Sequence, residues 1–193
     1  FQALLDSSLR QKKLLFPLYR VFYKILKRFL NGPFRISFEQ AQLLANTEKH
    51  SLGESLLRKY NYPDKPEVDL LSRYLGDQTS AFIDCGAHIG SYSFAIASMN
   101  PNSLVVAIEA TPNTAQHIEQ TRQLSETNKR VHLIQKALSS NSNQNVWLEE
   151  HSHPASNRIS THKTAKQISV KSLSLADLVT QLITPKGINR VAI

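Results

Sequence analysis

The sequence predicts an α/β chain: a doubly wound, mostly parallel sheet preceded by an α-helical N-terminal extension. Three observations lead there. From Ser80 onward, apolar runs of strand length alternate with helix-length segments. The run Ala81-Phe82-Ile83 ends on Asp84 and passes through Gly86 and Gly90 straight into a helical pattern. A second run, Leu104–Ile108, ends on Glu109, 19 residues after Gly90. Strands that are apolar throughout belong to parallel sheets covered on both faces. Crossover connections then bring the loops after neighbouring strands to the same edge of the sheet, where ligands bind.

The N-terminal part is a separate matter of charge. The chain has 193 residues and a formal net charge of +8. Residues 1–35 hold eight basic residues and one acid, leaving 15 basic and 14 acidic residues for the rest. The basic character therefore belongs to the leading segment and not to the sheet, which weakens any reading as a nucleic-acid binder. Residues 14–30 form an amphipathic pattern, with Leu18, Phe22, Ile25 and Phe29 on one helical face and Arg20, Lys24, Lys27 and Arg28 on another. Pro17 suits the first turn and Asn31-Gly32-Pro33 a stop. The segment is too charged to span a bilayer and lacks the uncharged apolar stretch of a secretion signal. Two readings follow: a helix packed on the domain with a solvated basic face, or peripheral contact with anionic lipid.

Two weaker helical patterns follow, Phe38–Ala45 and Leu52–Tyr60, then a turn-rich stretch over 61–65. Pro66 opens a helix that runs through Leu75 and stops at Gly76. The division expected is a helical extension over 1–63 and a cofactor-binding domain over 64–193. Within that domain we expect strand 80–84, helix 89–98, a turn at Asn100-Pro101-Asn102, strand 103–109, helix 112–126 and strand 130–135. A polar loop follows at Ser139–Gln144, then short strands at Val146–Glu149 and Ile168–Lys171 around a Ser/His/Asn-rich loop. A helix over 173–182 and a strand starting at Arg190 complete the pattern. The chain starts at Phe1 without Met and stops at Ile193 within strand-like sequence, so it reads as a fragment with an incomplete sheet.

The site is expected at the first glycine loop. Gly86 follows the strand where the chain turns sharply and a ligand approaches backbone, and glycine permits positive φ. Gly90 sits at the first turn of the helix, where the free N–H groups form a donor-rich, partly positive surface. Asp84 projects into the same crevice. The Glu109 carboxylate can accept hydrogen bonds from both hydroxyls of a ribose, and it would repel a 2′-phosphate. A dinucleotide loop would read G-x-G-x-x-G. Here the run is D-x-G-x-x-x-G, with His88 in place of the second glycine. An acid two residues before the first glycine is poorly placed beside a pyrophosphate and suits a ligand bearing an ammonium group.

The stretches "FIDCGAHIGSYSFAIA", "VVAIEATPNTAQHIEQT" and "VHLIQKALSS" resemble the FkbM-type S-adenosylmethionine-dependent methyltransferases. That family's first motif reads D-x-G-A-N-x-G-x-Y-S after an apolar strand, and its second strand ends in an E-P-N-P-like run. This chain has His88 for the Asn and Glu109-Ala110-Thr111-Pro112-Asn113 for the second run. "VKSLSLADLV" resembles the stretch before the fourth strand. The resemblance covers residues 52–193 and implies a Rossmann-like fold of methyltransferase type. It implies that Asp84, Gly86, Ala87, His88 and Gly90 border the methionyl and ribose parts of S-adenosylmethionine. It implies that Glu109 holds the ribose, and that Ala110, Ala137 and Leu138 flank the adenine. It also implies a K-I-D-x-E-G-like continuation after Ile193.

The expected reaction is methyl transfer to a hydroxyl oxygen of a small molecule or glycan, driven mainly by positioning with help from a base. His88, His151, His153 and His162 are candidate bases by residue type only, so the catalytic residue stays unassigned. His151 and His153 show no third ligand, and no metal is expected. The single cysteine, Cys85, excludes an internal disulfide and makes a reducing, cytoplasmic setting the default. Two readings compete: a nicotinamide-dependent oxidoreductase, and a non-catalytic membrane-associated module.

Overall fold

The computed structural model describes residues 21, 33–38, 41–46, 65–149, 158–160 and 167–193. Strand β3 (Ser80–Cys85), helix α2 (Ser91–Met99), strand β4 (Ser103–Ile108), helix α3 (Pro112–Arg122) and strand β5 (Val131–Ile134) follow one another as the alternating pattern requires. Helix α1 (Lys65–Leu75) precedes them, and strand β10 (Val191–Ala192) closes the described chain. The four strands form one sheet in the order β10-β3-β4-β5, and every neighbouring pair is parallel. The chain steps outward from β3 to β4 to β5, then returns to the other side of β3 to lay down β10. The carboxyl end of β3 is therefore a switch point, the place where a doubly wound sheet opens a crevice.

Alternation within the apolar strands explains the two layers. Phe82, Val105, Ala107, Val131 and Ala192 face one core, with Val68 and Leu75 of α1, Phe94 and Ile96 of α2, and Ile118 of α3. Ala81, Ile83, Val106 and Ile108 face another, with Leu178, Ile183 and Ile188 of the C-terminal segment. Ile83, Phe94, Ile96, Ile118 and Leu178 are all below 2% exposed, and burying each stabilises the fold by about 1.5–3 kcal/mol. The C-terminal segment is helix α5 (Leu175–Leu178), continued by a π-helical turn over Val179–Ile183 and a 3-10 turn over Thr184–Lys186. Ser174 caps α5, its hydroxyl accepting from the Asp177 N–H at 3.1 Å, so the helix starts later than expected from the pattern at 173.

A second four-stranded sheet lies downstream, in the order β6 (Ala137–Leu138), β9 (Gln167–Leu173), β7 (Asn145–Glu149) and β8 (Arg158–Ser160). β6 and β9 are parallel, whereas β7 pairs antiparallel with both β8 and β9. The fold is thus mostly parallel around the crevice and mixed beyond it. The helix expected over 112–126 is two helices. α3 ends at Arg122, and Ser125 caps a short α4 (Glu126–Lys129) by accepting from the Asn128 N–H at 3.1 Å.

The helix pattern expected over Phe38–Ala45 is corrected at its described residues: Phe38 ends strand β1 (Pro33–Phe38), and Ala41 to Ala45 lie in strand β2 (Ala41–Asn46), which pairs antiparallel with β1 as a hairpin. Ile36, Ala41, Leu43 and Ala45 are buried in the same core as Phe94 and Ile118. Asn128 fastens the hairpin to the sheet domain. Its Nδ2 donates to Gln42 O at 2.6 Å and to Thr121 O at 2.7 Å, and its Oδ1 accepts from the Gln42 N–H at 3.3 Å. His117 Nε2 donates to Leu44 O at 2.9 Å; a carbonyl only accepts, so Nε2 carries the proton. Of the amphipathic segment 14–30 only Val21 is described, helical and exposed. The pattern at Leu52–Tyr60 and the loop histidines His151, His153 and His162 lie outside the described residues. No described helix is long and apolar enough to cross a membrane, and the described residues hold no cluster of metal-binding side chains.

Candidate active site at the carboxyl ends of β3 and β4

The loop from Cys85 to Gly90 is shaped by three residues with positive φ: Gly86 at 80°, His88 at 52° and Gly90 at 78°. Two glycines supply this conformation without strain. His88 is one of the few other residue types enriched there. The motif that the loop resembles carries Asn at this place, and Asn shares that tolerance, so the substitution keeps the backbone path. A Cβ on Gly86 would meet nothing within 4 Å; φ alone explains that glycine, and open space lies where a ligand would pass. A Cβ on Gly90 would lie 2.6 Å from Phe94 Cε2. The close approach at Gly90 is therefore to a ring of the helix that it caps.

The free N–H groups expected at this turn are corrected for the five donors that follow. The N–H groups of Gly86 and Ala87 both donate to Ile108 O at 2.9 Å, and that of Gly90 donates to Ala87 O at 2.7 Å. The His88 N–H donates to Glu109 Oε2 at 2.9 Å. In the first turn of α2, the Ser93 N–H donates to Asp84 Oδ2 at 3.2 Å. Four of these donors go to groups at the ends of β3 and β4 and the fifth, from Gly90, stays within the loop, so these five do not form an anion cradle.

The two acids are held differently. Glu109 is 8% exposed and accepts one backbone N–H on each oxygen, His88 on Oε2 and Thr111 on Oε1 at 2.8 Å. Each oxygen keeps one further acceptor position, the arrangement that two vicinal hydroxyls require. Asp84 is half-buried and takes both donors of Ser93 on Oδ2, the hydroxyl at 2.6 Å and the N–H at 3.2 Å. Among the described residues nothing donates to its Oδ1. Burial pushes the Asp84 carboxyl above the ordinary range; the Ser93 hydroxyl and N–H pull it down, and the nearby Glu109 adds a smaller push up. No described cation pairs with either acid. Burial lowers the pKa of His88, against a pull upward from Glu109, and His117 lowers it further. That shift favours neutral imidazole at neutral pH. Burial and Asp84 together push the exposed Cys85 thiol up.

Asp84, Gly86, His88 and Glu109 thus lie together at the carboxyl ends of β3 and β4, whereas Ala87 is buried in the main core and Gly90 is packed against Phe94. Ala110 packs against the small cluster of Ala137, Leu148 and Val170, which brings it beside Ala137. Ala137 is 2% exposed and paired with Ser172, whereas Leu138 packs on the other core with Leu173. Sequence reasoning missed Ser93 and Thr111. Thr111 acts through its backbone and left no side-chain signal; Ser93 left one, a hydroxyl residue in the first turn after the loop, on the side of the strand-end acid.

Comparison with known proteins gives this crevice a context. Among curated proteins, none matches the chain. Two solved structures share a piece of it: the precorrin-6y C5,15-methyltransferase from Geobacter metallireducens GS-15 (21% identity, TM-score 0.31) and YjhP from E. coli (16% identity, TM-score 0.33). The shared pieces cover 38% and 44% of this chain and only 39% and 36% of theirs. The family assignment does not rest on them. Residues 84–193 match the family described as the methyltransferase FkbM domain. That match starts at Asp84 and takes in the glycine loop and both acids over more than half of the chain, so the protein belongs to the FkbM methyltransferase domain family.

Proposed function

We propose that this chain binds S-adenosylmethionine at the β3–β4 crevice and directs its methyl to a hydroxyl oxygen of a small molecule or sugar. The observation that carries the reading is the state of the loop: two acids with no cation among the described residues, beside N–H groups already used. Such a site favours a ligand that brings positive charge and hydroxyls. It disfavours a pyrophosphate, which needs free N–H groups and a helix N-terminus to itself. The nicotinamide reading is weaker for that reason. The residues present fit the cofactor. Asp84 Oδ1 is open to an ammonium group, Glu109 has one acceptor position per oxygen for the two ribose hydroxyls, and Gly86 leaves space above the backbone. Ala110 would border the adenine side, with the buried Ala137 in the cluster that it packs against.

S-adenosylmethionine, when bound, supplies an activated methyl on a sulfonium. Transfer would exchange that C–S bond for a C–O bond to the acceptor, with the hydroxyl proton leaving to a base or to water. The chain's contribution is to hold the pair in line, the effect that makes positioning worth several kcal/mol. A neutral His88 is able to accept a proton, but its backbone role at Glu109 favours cofactor positioning over catalysis. Contact of residues 14–30 with an anionic membrane surface is a further part of the proposal, carried by the charge pattern alone.

Calorimetric titration with S-adenosylmethionine and with NAD tests the reading. Heat is expected with the former, and Glu109→Ala should weaken it by about 1–3 kcal/mol, the worth of charge-assisted hydrogen bonds. Heat with NAD alone, or unchanged affinity in Glu109→Ala, refutes it.

A further inference from the structure

We propose that Ser93 is a positioning residue of the site: it turns the Asp84 carboxylate so that Oδ1 faces the crevice and meets the cationic end of the cofactor. This rests on the cofactor reading above. Ser93 is 0% exposed, yet its hydroxyl and its N–H both point at one oxygen, Oδ2, at 2.6 and 3.2 Å. Two donors converging on one oxygen fix both torsions of a short side chain. The other oxygen is left without a described donor. A carboxylate held this way presents one oxygen, with both its lone pairs, in a set direction.

The surroundings explain why such a clamp is needed. Asp84 stands at a strand end beside another acid, Glu109, and beside the Cys85 thiol. No described cation counters it. Burial and the neighbouring carboxylate both work against its charged form, whereas hydrogen bonds to a carboxylate favour that form. Ser93 supplies those bonds. It thus does two things at once: it aims the carboxylate, and it keeps the carboxylate ionised for a cationic partner. Glycine at 90 makes the geometry accessible. With Gly90 in the left-handed region the helix begins at Ser91, which sets Ser93 in the first turn over the strand end.

The test measures S-adenosylmethionine affinity by calorimetry across acid to weakly basic pH in wild type, Ser93→Ala, Ser93→Cys and Asp84→Asn, with folding followed by circular dichroism. Ser93→Ala should bind about tenfold more weakly near neutral pH, the loss of one hydrogen bond to a charged group. Its affinity should fall away at a higher pH than the wild type's, because Asp84 loses the donor that favours its charge. Ser93→Cys, with a weaker donor of similar shape, should lie between, and it carries the test if Ser93→Ala does not fold. Adding Ser93→Ala to Asp84→Asn should cost much less than in the wild type. Lowered stability with wild-type affinity and an unshifted pH profile in both serine variants overturns the proposal and leaves the cofactor reading standing. No binding by the wild type overturns the cofactor reading and this proposal together.

Discussion

Replacing Gly90 by Ala is the sharpest test of how the loop is built. At φ 78° a Cβ suffers the left-handed penalty of about 1–2 kcal/mol. It would also stand 2.6 Å from Cε2 and 3.0 Å from Cδ2 of Phe94. That ring is 0% exposed and packed in the main core, so it has nowhere to swing. Overpacking of this kind costs about 1–3 kcal/mol. Together the expected loss is about 2–5 kcal/mol, a large part of the stability of an ordinary domain. Gly86→Ala is the matched control. Its φ is 80°, but a Cβ there meets nothing within 4 Å. Only the conformational cost of about 1–2 kcal/mol should appear, and the larger effect should be on cofactor affinity, because the methyl enters the crevice. Urea unfolding of both variants measures the difference. In the Gly90→Ala background, Phe94→Leu should cost less than it does alone, since removing the ring edge relieves the clash. Equal destabilisation by the two alanines, or full additivity with Phe94→Leu, refutes the close-approach account.

Two other outcomes follow. Asp84→Asn should stabilise the ligand-free protein at neutral pH. A carboxyl whose folded pKa is raised contributes stability only below its unfolded pKa and loses it as pH rises through the folded value. The gain in melting temperature should vanish at acid pH, where both side chains are neutral; a gain independent of pH contradicts the raised carboxyl. Asn128→Ala should cost about 2–4 kcal/mol by urea unfolding, because it strands the Gln42 N–H and C=O in a part-buried setting, whereas Thr121 O keeps the Leu124 N–H. It should also speed proteolysis of the hairpin, and an unchanged cleavage rate would show that Asn128 does not fasten it.

The helix expected across Phe38–Ala45 shows where local reading stops. Ala41-Gln42-Leu43-Leu44-Ala45 is composed of good helix formers, and nothing in those five residues announces a strand. The preceding Phe34-Arg35-Ile36-Ser37-Phe38 does alternate with period two, but over a span that a helical pattern also fits. Packing decided it: Ile36, Leu43 and Ala45 gain burial against Phe94 and Ile118, and Asn128 supplies the hydrogen bonds that hold the hairpin in place. The π-helical turn at Val179–Ile183 has no comparable account in the sequence.

The succession of strand, acid, glycine loop, helix, strand and acid was determined by the sequence alone. Each step is encoded within a few neighbouring residues: apolar runs for the strands, and Gly86, His88 and Gly90 for a path with positive φ. What those groups do to one another was decided only by the tertiary structure. The loop N–H groups look free in one dimension and are taken up by Ile108 O and Glu109 in three. Asp84 looks like a lone strand-end acid and is clamped by a serine nine residues on. Gln42 and Asn128 are 86 residues apart and share hydrogen bonds. Donors and acceptors carry no address in the sequence; the sheet, by setting β3 beside β4 and helix α2 over both, chooses their partners.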